Sequence, residues 1–312
     1  VTPRYLALKL GRAVFTLWLV VTFVFVVLRL TGDPAEQLLP DDIAPETVEY
    51  YRALWGLDRP LWEQYVGYLK SLAQGDFGIS FRNNLPAIDL VLERVPATLQ
   101  LMLTAFVVSM AIGIPCGIYA ALHRDTAFDR TLMTAAVFGY SLPNFFLGIV
   151  LILIFSLTLR WLPSSGSDTL WHMVMPVVAY GTAFAGQVAR FSRSAMLDVT
   201  GRAYMRTAHA KGASRPRRVY LHALPNAAIP IVTIVGLKLG EVIGGAVITE
   251  NVFAWPGVGR LLTTAVANRD LAVVQCIVIL IALTMVIANF IVDLAYGWLD
   301  PRIRVGAATG AR

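Results

Sequence analysis

Residues 200–230 read TGRAYMRTAHAKGASRPRRVYLHALPNAAIP, the longest basic, non-membrane insert in a chain that is otherwise lipid-facing in character. The insert holds Arg202, Arg206, Lys211, Arg215, Arg217 and Arg218 and no carboxylate. Positive charge by itself marks a cytoplasmic segment. Local structure is encoded as well: Ala203, Thr207 and Ala210 fall at i, i+4 and i+7, a stripe of small residues on one helix face. Gly212 supplies a helix stop. Ser214 as N-cap, with Pro216 in the next first turn, predicts a second short helix that Pro225 would limit. The insert therefore reads as a folded element presented outside the membrane.

What surrounds it sets the class. The 312 residues are 57% hydrophobic and 15% charged, with a mean hydropathy of +0.64, too apolar and too unevenly so for one soluble core. Uncharged runs occupy 13–28, 95–122, 131–159, 169–189 and 271–292, with a further apolar span around 228–249. Most reach the roughly 20 residues that a helix needs to cross the hydrocarbon layer. An all-α membrane protein with six transmembrane helices is expected. The first run is short, but Arg12 and Arg29 at its ends can snorkel to the interfaces. No small-x-small site follows it, so it reads as a span and not as a cleaved signal.

Charge orients the spans. Arg4, Lys9 and Arg12 near the N-terminus, the basic insert, and Arg302, Arg304 and Arg312 near the C-terminus all belong in the cytoplasm. The acid-rich segment 31–94 belongs outside, and one topology satisfies every cluster. The net charge of +6 thus reports topology, not nucleic-acid binding. Under this topology Cys116 and Cys276 sit in opposite leaflets, so a disulfide between them is not expected.

The external segment carries helix signals at Pro45–Glu46, ending at Gly56, and from Asp58 through Leu61, Trp62, Tyr65, Tyr68 and Leu69 to Gly75. Pro86 to Arg94 predicts a third helix. Its aromatics fit either an interfacial belt or a docking face for another protein. Gly113, Pro115 and Gly117 in the second span, and Ser141 to Asn144 in the third, read as breaks that membrane helices tolerate. A kink there would turn Asn144 into a cavity, and ordinary helix packing accounts for the same residues. In the fifth span Gly236, Gly240 and Gly244 recur every fourth residue, the close-packing pattern of membrane helices. Lys238 and Glu241 lie on nearly the opposite face, where they would neutralise one another and face a cavity or a subunit interface.

Some chemistries find no support. No G-x-x-x-x-G-K-[ST] phosphate loop occurs, so ATP binding by this chain is not expected. His123, His172, His209 and His222 lack metal-ligand spacing. Ser109, Ser141 and Ser156 have no base placed to activate them.

Several stretches carry a family resemblance. GLDRPLWEQYVGYLKSLAQGDFGISF at 56–81 is similar to a stretch in the first permease subunit of dipeptide/oligopeptide-type ABC importers. In the insert, Tyr204, Arg206, Thr207, Ala208, Ala210, Lys211 and Gly212, then His222, Ala223, Leu224, Asn226 and Pro230, resemble the signature loop of ABC importer permeases. His209 stands where the peptide-importer subfamily often has arginine, and Thr207 where the wider family has glutamate. TENVFAWPGVGRLL at 249–262, NRDLAVVQ at 268–275 and VDLAYGWLDPRIR at 292–304 are also similar, so the resemblance covers nearly the whole chain.

The resemblance implies an ABC importer permease fold in the bacterial inner membrane. Residues 1–30 would form the cytoplasmic N-terminus and first span, 31–94 a periplasmic helical region, 95–304 a five-helix core with coupling loop 190–227, and 305–312 a cytoplasmic tail. It implies a homologous second permease, two ATPase subunits that hold ATP and Mg, and a periplasmic substrate-binding protein. The seven loop residues Tyr204 to Gly212 named above would couple to the ATPase. Asn144, Gln187, Lys238 and Glu241 are the candidates for the translocation path, with a structural pair at the second permease as the other reading of Lys238 and Glu241. Peptides or a similar small solute would be imported, with no cofactor in this chain. The competing expectation is an ion-coupled secondary transporter using Lys238, Glu241 and Asp293, against which no internal repeat is found.

Overall fold

The computed structural model describes residues 3–30, 44–54, 57–80 and 82–299, with side chains for all of these but 3–6, 28–30, 51, 54 and 293–299. The expected tail 305–312, most of 31–44, Trp55, Gly56 and the C-terminal arginines lie outside the described residues, as do the side chains of Arg4, Arg29 and Asp293.

The described chain is helical. In order the helices are α1 Pro3–Leu30, α2 Pro45–Leu54, α3 Leu61–Ala73, α4 Ala87–Leu122, α5 Ala127–Ser141, α6 Asn144–Thr158, α7 Trp171–Thr200, α8 Ala203–Ala210, α9 Arg215–Gly240, α10 Ala246–Val252, α11 Val258–Ala267 and α12 Leu271–Leu299. Among the described residues four helices, α1, α4, α9 and α12, are long and apolar enough to cross a membrane, and the bent pair α5–α6 makes up to five. These four bury only 11% to 33% of their most apolar stretch inside the chain. Such extensive apolar exposure has to be covered by lipid or by another subunit.

α4 and α7 form the central pair, with α5, α6 and α9 packed around α7. Their contact is close because its residues are small. A Cβ on Gly113 would sit 2.8 Å from the Ala185 carbonyl oxygen, and one on Gly117 would collide with the Ala189 carbonyl. Ser109 Oγ, fully buried, donates to the Ala105 and Gly181 carbonyls at 2.6 and 3.1 Å. Its hydroxyl is occupied in joining the two helices. The sequence reading of a break at Gly113–Pro115–Gly117 is corrected here: α4 runs unbroken through Pro96 and Pro115, and its glycines serve approach, not bending. The helix expected at Pro86 to Arg94 is the first part of α4 and not a separate element.

The break in the third span is real. α5 and α6 meet at 96° across Leu142–Pro143, where Pro143 cannot donate to the preceding turn. The last turns of α6, Ile152–Thr158, are π-helical.

The fifth span differs most from expectation. Pro225 does not stop a helix; α9 runs from Arg215 to Gly240 through both Pro225 and Pro230. A π-helical stretch at Arg218–Ala223 directly precedes Pro225, and such local widening accommodates the missing N–H. The apolar stretch to residue 249 is not one helix, since residues 241–245 form a turn before α10. Gly236 and Gly240 pack on α12 at Val292 and at Met285 and Ala288, and Gly244 meets Ile281.

In the segment before α4, α3 begins after Pro60, with no side-chain cap from Asp58. Tyr65 Oη lies 2.6 Å from Thr22 Oγ1 of α1, and Phe25 packs between Tyr65 and Tyr68. Burial there pushes the Tyr68 phenol up to about 12. Leu61, Trp62 and Val66 stay exposed, so the aromatics divide between an inner face on α1 and an outer apolar face.

We expect Gly117→Leu to lower the thermal stability of the detergent-solubilised chain by about 3 kcal/mol through overpacking. An unchanged melting temperature would contradict the α4–α7 contact described above.

Candidate functional site

The basic insert folds as expected in outline. Met205 is the one buried residue of α8, and it packs with Ala121, Met196, Val199 and Ala223. With Met205 turned inward, the helix period turns Ala203, Thr207 and Ala210 outward, and all three are exposed. Tyr204 and Arg206 flank them, also exposed, while Ala208 is half-buried. Lys211 follows as the C-cap.

Gly212 then closes the helix with φ +78°. Its N–H donates to the His209 carbonyl at 2.9 Å and that of Ala213 to the Ala208 carbonyl at 3.1 Å, the paired bonds of a Schellman stop. A Cβ on Gly212 would meet nothing within 4 Å. Glycine is required by the left-handed backbone, not by space, at about 1–2 kcal/mol for any other residue. Ser214 occupies the N-cap position of α9 without a side-chain hydrogen bond. Arg215 Nη2 donates to the Leu122 carbonyl at 2.9 Å, tying the insert to the end of α4.

A second cluster lies on the face of α9 away from α12. Lys238 Nζ is 2.7 Å from Glu241 Oε2, with side chains 22% and 47% exposed. Lys238 Nζ also lies 6.0 Å from the centroid of Phe184 on α7. Tyr180, Phe184 and Gln187 are spaced i, i+4 and i+7 and share that face of α7. Gln187 and Asn144 are half-buried. No contact joins Asn144 to the ion pair; it begins α6 just beyond the bend.

Two buried carboxylate contacts escaped the sequence reading. Glu250 is fully buried; its carboxylate accepts from Thr98 Oγ1 at 2.6 Å and from the Arg260 N–H at 3.1 Å. Thr98 Oγ1 accepts in turn from the Val258 N–H at 2.8 Å. The group thus satisfies the first turn of α11 and pins it to α4. A Cβ at Gly257 would collide with the Glu250 carboxylate, so glycine there lets the start of α11 approach it. Asp129 accepts two hydrogen bonds from Arg193, both 2.7 Å, joining the first turn of α5 to the last turns of α7. Nothing in local sequence pairs residues that far apart.

With this geometry in view, the comparisons are consistent. Residues 113–305 match the family described as "Binding-protein-dependent transport system inner membrane component", and residues 3–102 match its N-terminal companion. The chain belongs to this family and is a permease component of a binding-protein-dependent ABC importer, a multi-pass inner-membrane protein. It is 40% identical over 302 residues to the glutathione transport system permease protein GsiC of Escherichia coli (strain K12), covering 96% of this chain and 99% of that one. The Shigella flexneri serotype 5b protein of the same name is equally similar. Among solved structures, an inward-facing MetNI methionine ABC transporter superposes with a TM-score of 0.57 at 20% identity, covering 68% of this chain and 96% of that chain; this likeness speaks to fold alone. Between importer permease and ion-coupled secondary transporter, the family decides for the permease.

Glu250→Ala, which leaves the Thr98 hydroxyl and the Arg260 N–H without their acceptor, is expected to destabilise the solubilised protein by about 3 kcal/mol. Glu250→Gln keeps an acceptor oxygen and should cost clearly less in the same thermal-unfolding measurement; equal losses would contradict the assigned role.

Proposed function

We propose that the chain is one of two homologous permeases that enclose a pore, moving peptides or a similar small solute such as a glutathione-like compound inward from a periplasmic binding protein. Two separate ATPase subunits bind ATP and Mg and drive the cycle; this chain performs no covalent chemistry. The observation that carries the reading is α8, a short helix anchored by one buried methionine and presenting a small-residue face to solvent. Small side chains allow close approach of a partner surface, and Tyr204, Arg206 and Lys211 offer it hydrogen bonds and charge. Thr207, Ala208, Ala210 and Gly212 supply the shape.

The membrane topology in this reading has six crossings with both termini cytoplasmic. α7 counts as a crossing in this reading because it packs against α4, α5, α6 and α9 at the centre of the bundle. Motion imposed on α8 reaches α4 through Arg215, and α7 through the chain itself. Lys238, Glu241 and Gln187 line the path, since an ion pair with a half-exposed carboxylate at membrane depth needs a wet or polar neighbour in place of lipid. Asn144, at the α5–α6 bend, is assigned to the same path.

Two outcomes follow. Gly212→Leu should insert and assemble, yet reduce uptake and transport-coupled ATP hydrolysis about tenfold, the equivalent of the ~1–2 kcal/mol backbone strain; normal coupled uptake in proteoliposomes would remove α8 from this role. The double change Lys238→Gln with Glu241→Gln should alter the relative uptake of competing peptides while the complex still purifies intact. Loss of assembly with unchanged preference would place the pair at the subunit interface instead.

A further inference from the structure

The short helix α3 meets α1 at a level that the sequence of α1 fixes. Thr22 donates to the Trp18 carbonyl at 2.7 Å, so its oxygen is free to accept from the Tyr65 hydroxyl of α3, 2.6 Å away. The Phe25 ring lies 5.2 Å from that of Tyr65 and 5.6 Å from that of Tyr68. Thr22 and Phe25 belong to the 16 uncharged residues that separate Arg12 from Arg29. At 1.5 Å per residue that run measures about 24 Å, less than the hydrocarbon thickness of about 30 Å. A span bounded by those two charges therefore keeps the whole run inside the layer, and Phe25 and Thr22 lie about 6 and 10 Å below the level of Arg29. Tyr65 and Tyr68 reach down to these positions. The contact seats α3 at the border of the hydrocarbon, on the Arg29 side of the membrane.

The two faces of α3 agree with that seat. At about 100° per residue, every aromatic and aliphatic side chain of α3 falls within one arc of about 160°, from Tyr68 round to Val66. Glu63, Gln64, Gly67, Lys70 and Ser71 fill the remainder. α1 covers only one edge of the apolar arc, that of Tyr65 and Tyr68. Trp62 and Val66 lie about 90° and 130° round from that edge and are 66% and 57% exposed, as is Leu61 at 63%. At the same level α1 turns Phe23 and Val26 outward, 64% and 45% exposed. The apolar side of α3 is the side from which its tyrosines enter the layer, and its polar side looks the opposite way.

From this geometry we infer that α3 is a membrane-surface helix, with Leu61, Trp62 and Val66 embedded at the boundary of headgroups and acyl chains and Glu63, Gly67 and Lys70 towards water. A short amphipathic helix lying in the interface buries its apolar face to this depth, and tryptophan is at home there. The aromatics of this segment thus serve the bilayer and not a soluble docking partner. The seat also gives α1, which among the helices packs chiefly on α12, a second support at the membrane surface.

The test uses the complex as it purifies with its partner subunits, reconstituted in nanodiscs of phosphatidylethanolamine and phosphatidylglycerol. Spin labels are attached singly through Trp62→Cys, Val66→Cys and Gly67→Cys in a Cys116→Ala, Cys276→Ala background; a Cβ at Gly67 meets nothing within 4 Å. Collision with oxygen, which partitions into lipid, is compared with collision with water-soluble nickel ethylenediaminediacetate. At 62 and 66 oxygen should exceed the nickel reagent several-fold, and at 67 the order should reverse. Dominance of the nickel reagent at 62 and 66 would turn these positions to water and overturn the proposal. Low collision with both reagents there would place them under another subunit and overturn it equally. Where the cysteine-free complex does not assemble, a photoreactive side chain introduced at Val66 of the otherwise unaltered chain should attach to phospholipid, and attachment to protein alone overturns the proposal.

Discussion

Close approach of α4 and α7 is the constraint on which the rest of the structure depends. In a bilayer the hydrophobic effect does not distinguish a neighbouring helix from lipid, so association rests on van der Waals contact and a few hydrogen bonds. Gly113, Gly117, Gly181 and Ser109 make that contact possible where 109–117 of α4 meets 181–192 of α7. From this pair the remaining elements take their places: α5 through Asp129 and Arg193, α11 through Thr98 and Glu250, and the basic insert through Arg215 and Met205.

The consequence is an asymmetric molecule. Its α4–α7 core is locked by buried polar contacts, while α8 is held by one apolar anchor and by the fixed ends of its neighbours. A short helix held in this way can receive force on its exposed face and pass it to the bundle without unfolding. The ion pair proposed for the path follows similar logic. Gly236 and Gly240 bring one face of α9 against α12, which leaves Lys238 and Glu241 to look elsewhere, towards Phe184 and the face it shares with Gln187.

Much of this was legible because the bilayer restricts what a sequence can do. Uncharged runs located the apolar helices, and the Ala203–Thr207–Ala210 period with Gly212 located α8 and its stop, since both signals are local. The 96° bend was foreshadowed by Pro143. Misreadings came where a local rule met tertiary packing. Pro225 breaks helices in water, yet here a π-helical stretch absorbs it; Gly113 and Gly117 looked like weakness and are points of close helix approach. Glu250–Thr98 and Asp129–Arg193 were not legible, because each joins helices distant in sequence and neither residue stands out within its own segment. The interruption at 241–245 was masked by apolar sequence on both sides of it, in the long α9 and the short α10.

The account's central claim is that the exposed face of α8 receives an ATPase subunit. The most direct measurement is photo-crosslinking from a reactive side chain introduced at Thr207 in the assembled complex, with the product identified by mass spectrometry. The account predicts a crosslink to the ATPase subunit whose yield changes between nucleotide-free and ATP-bound states. Crosslinks to lipid alone, or a yield indifferent to nucleotide, would contradict it.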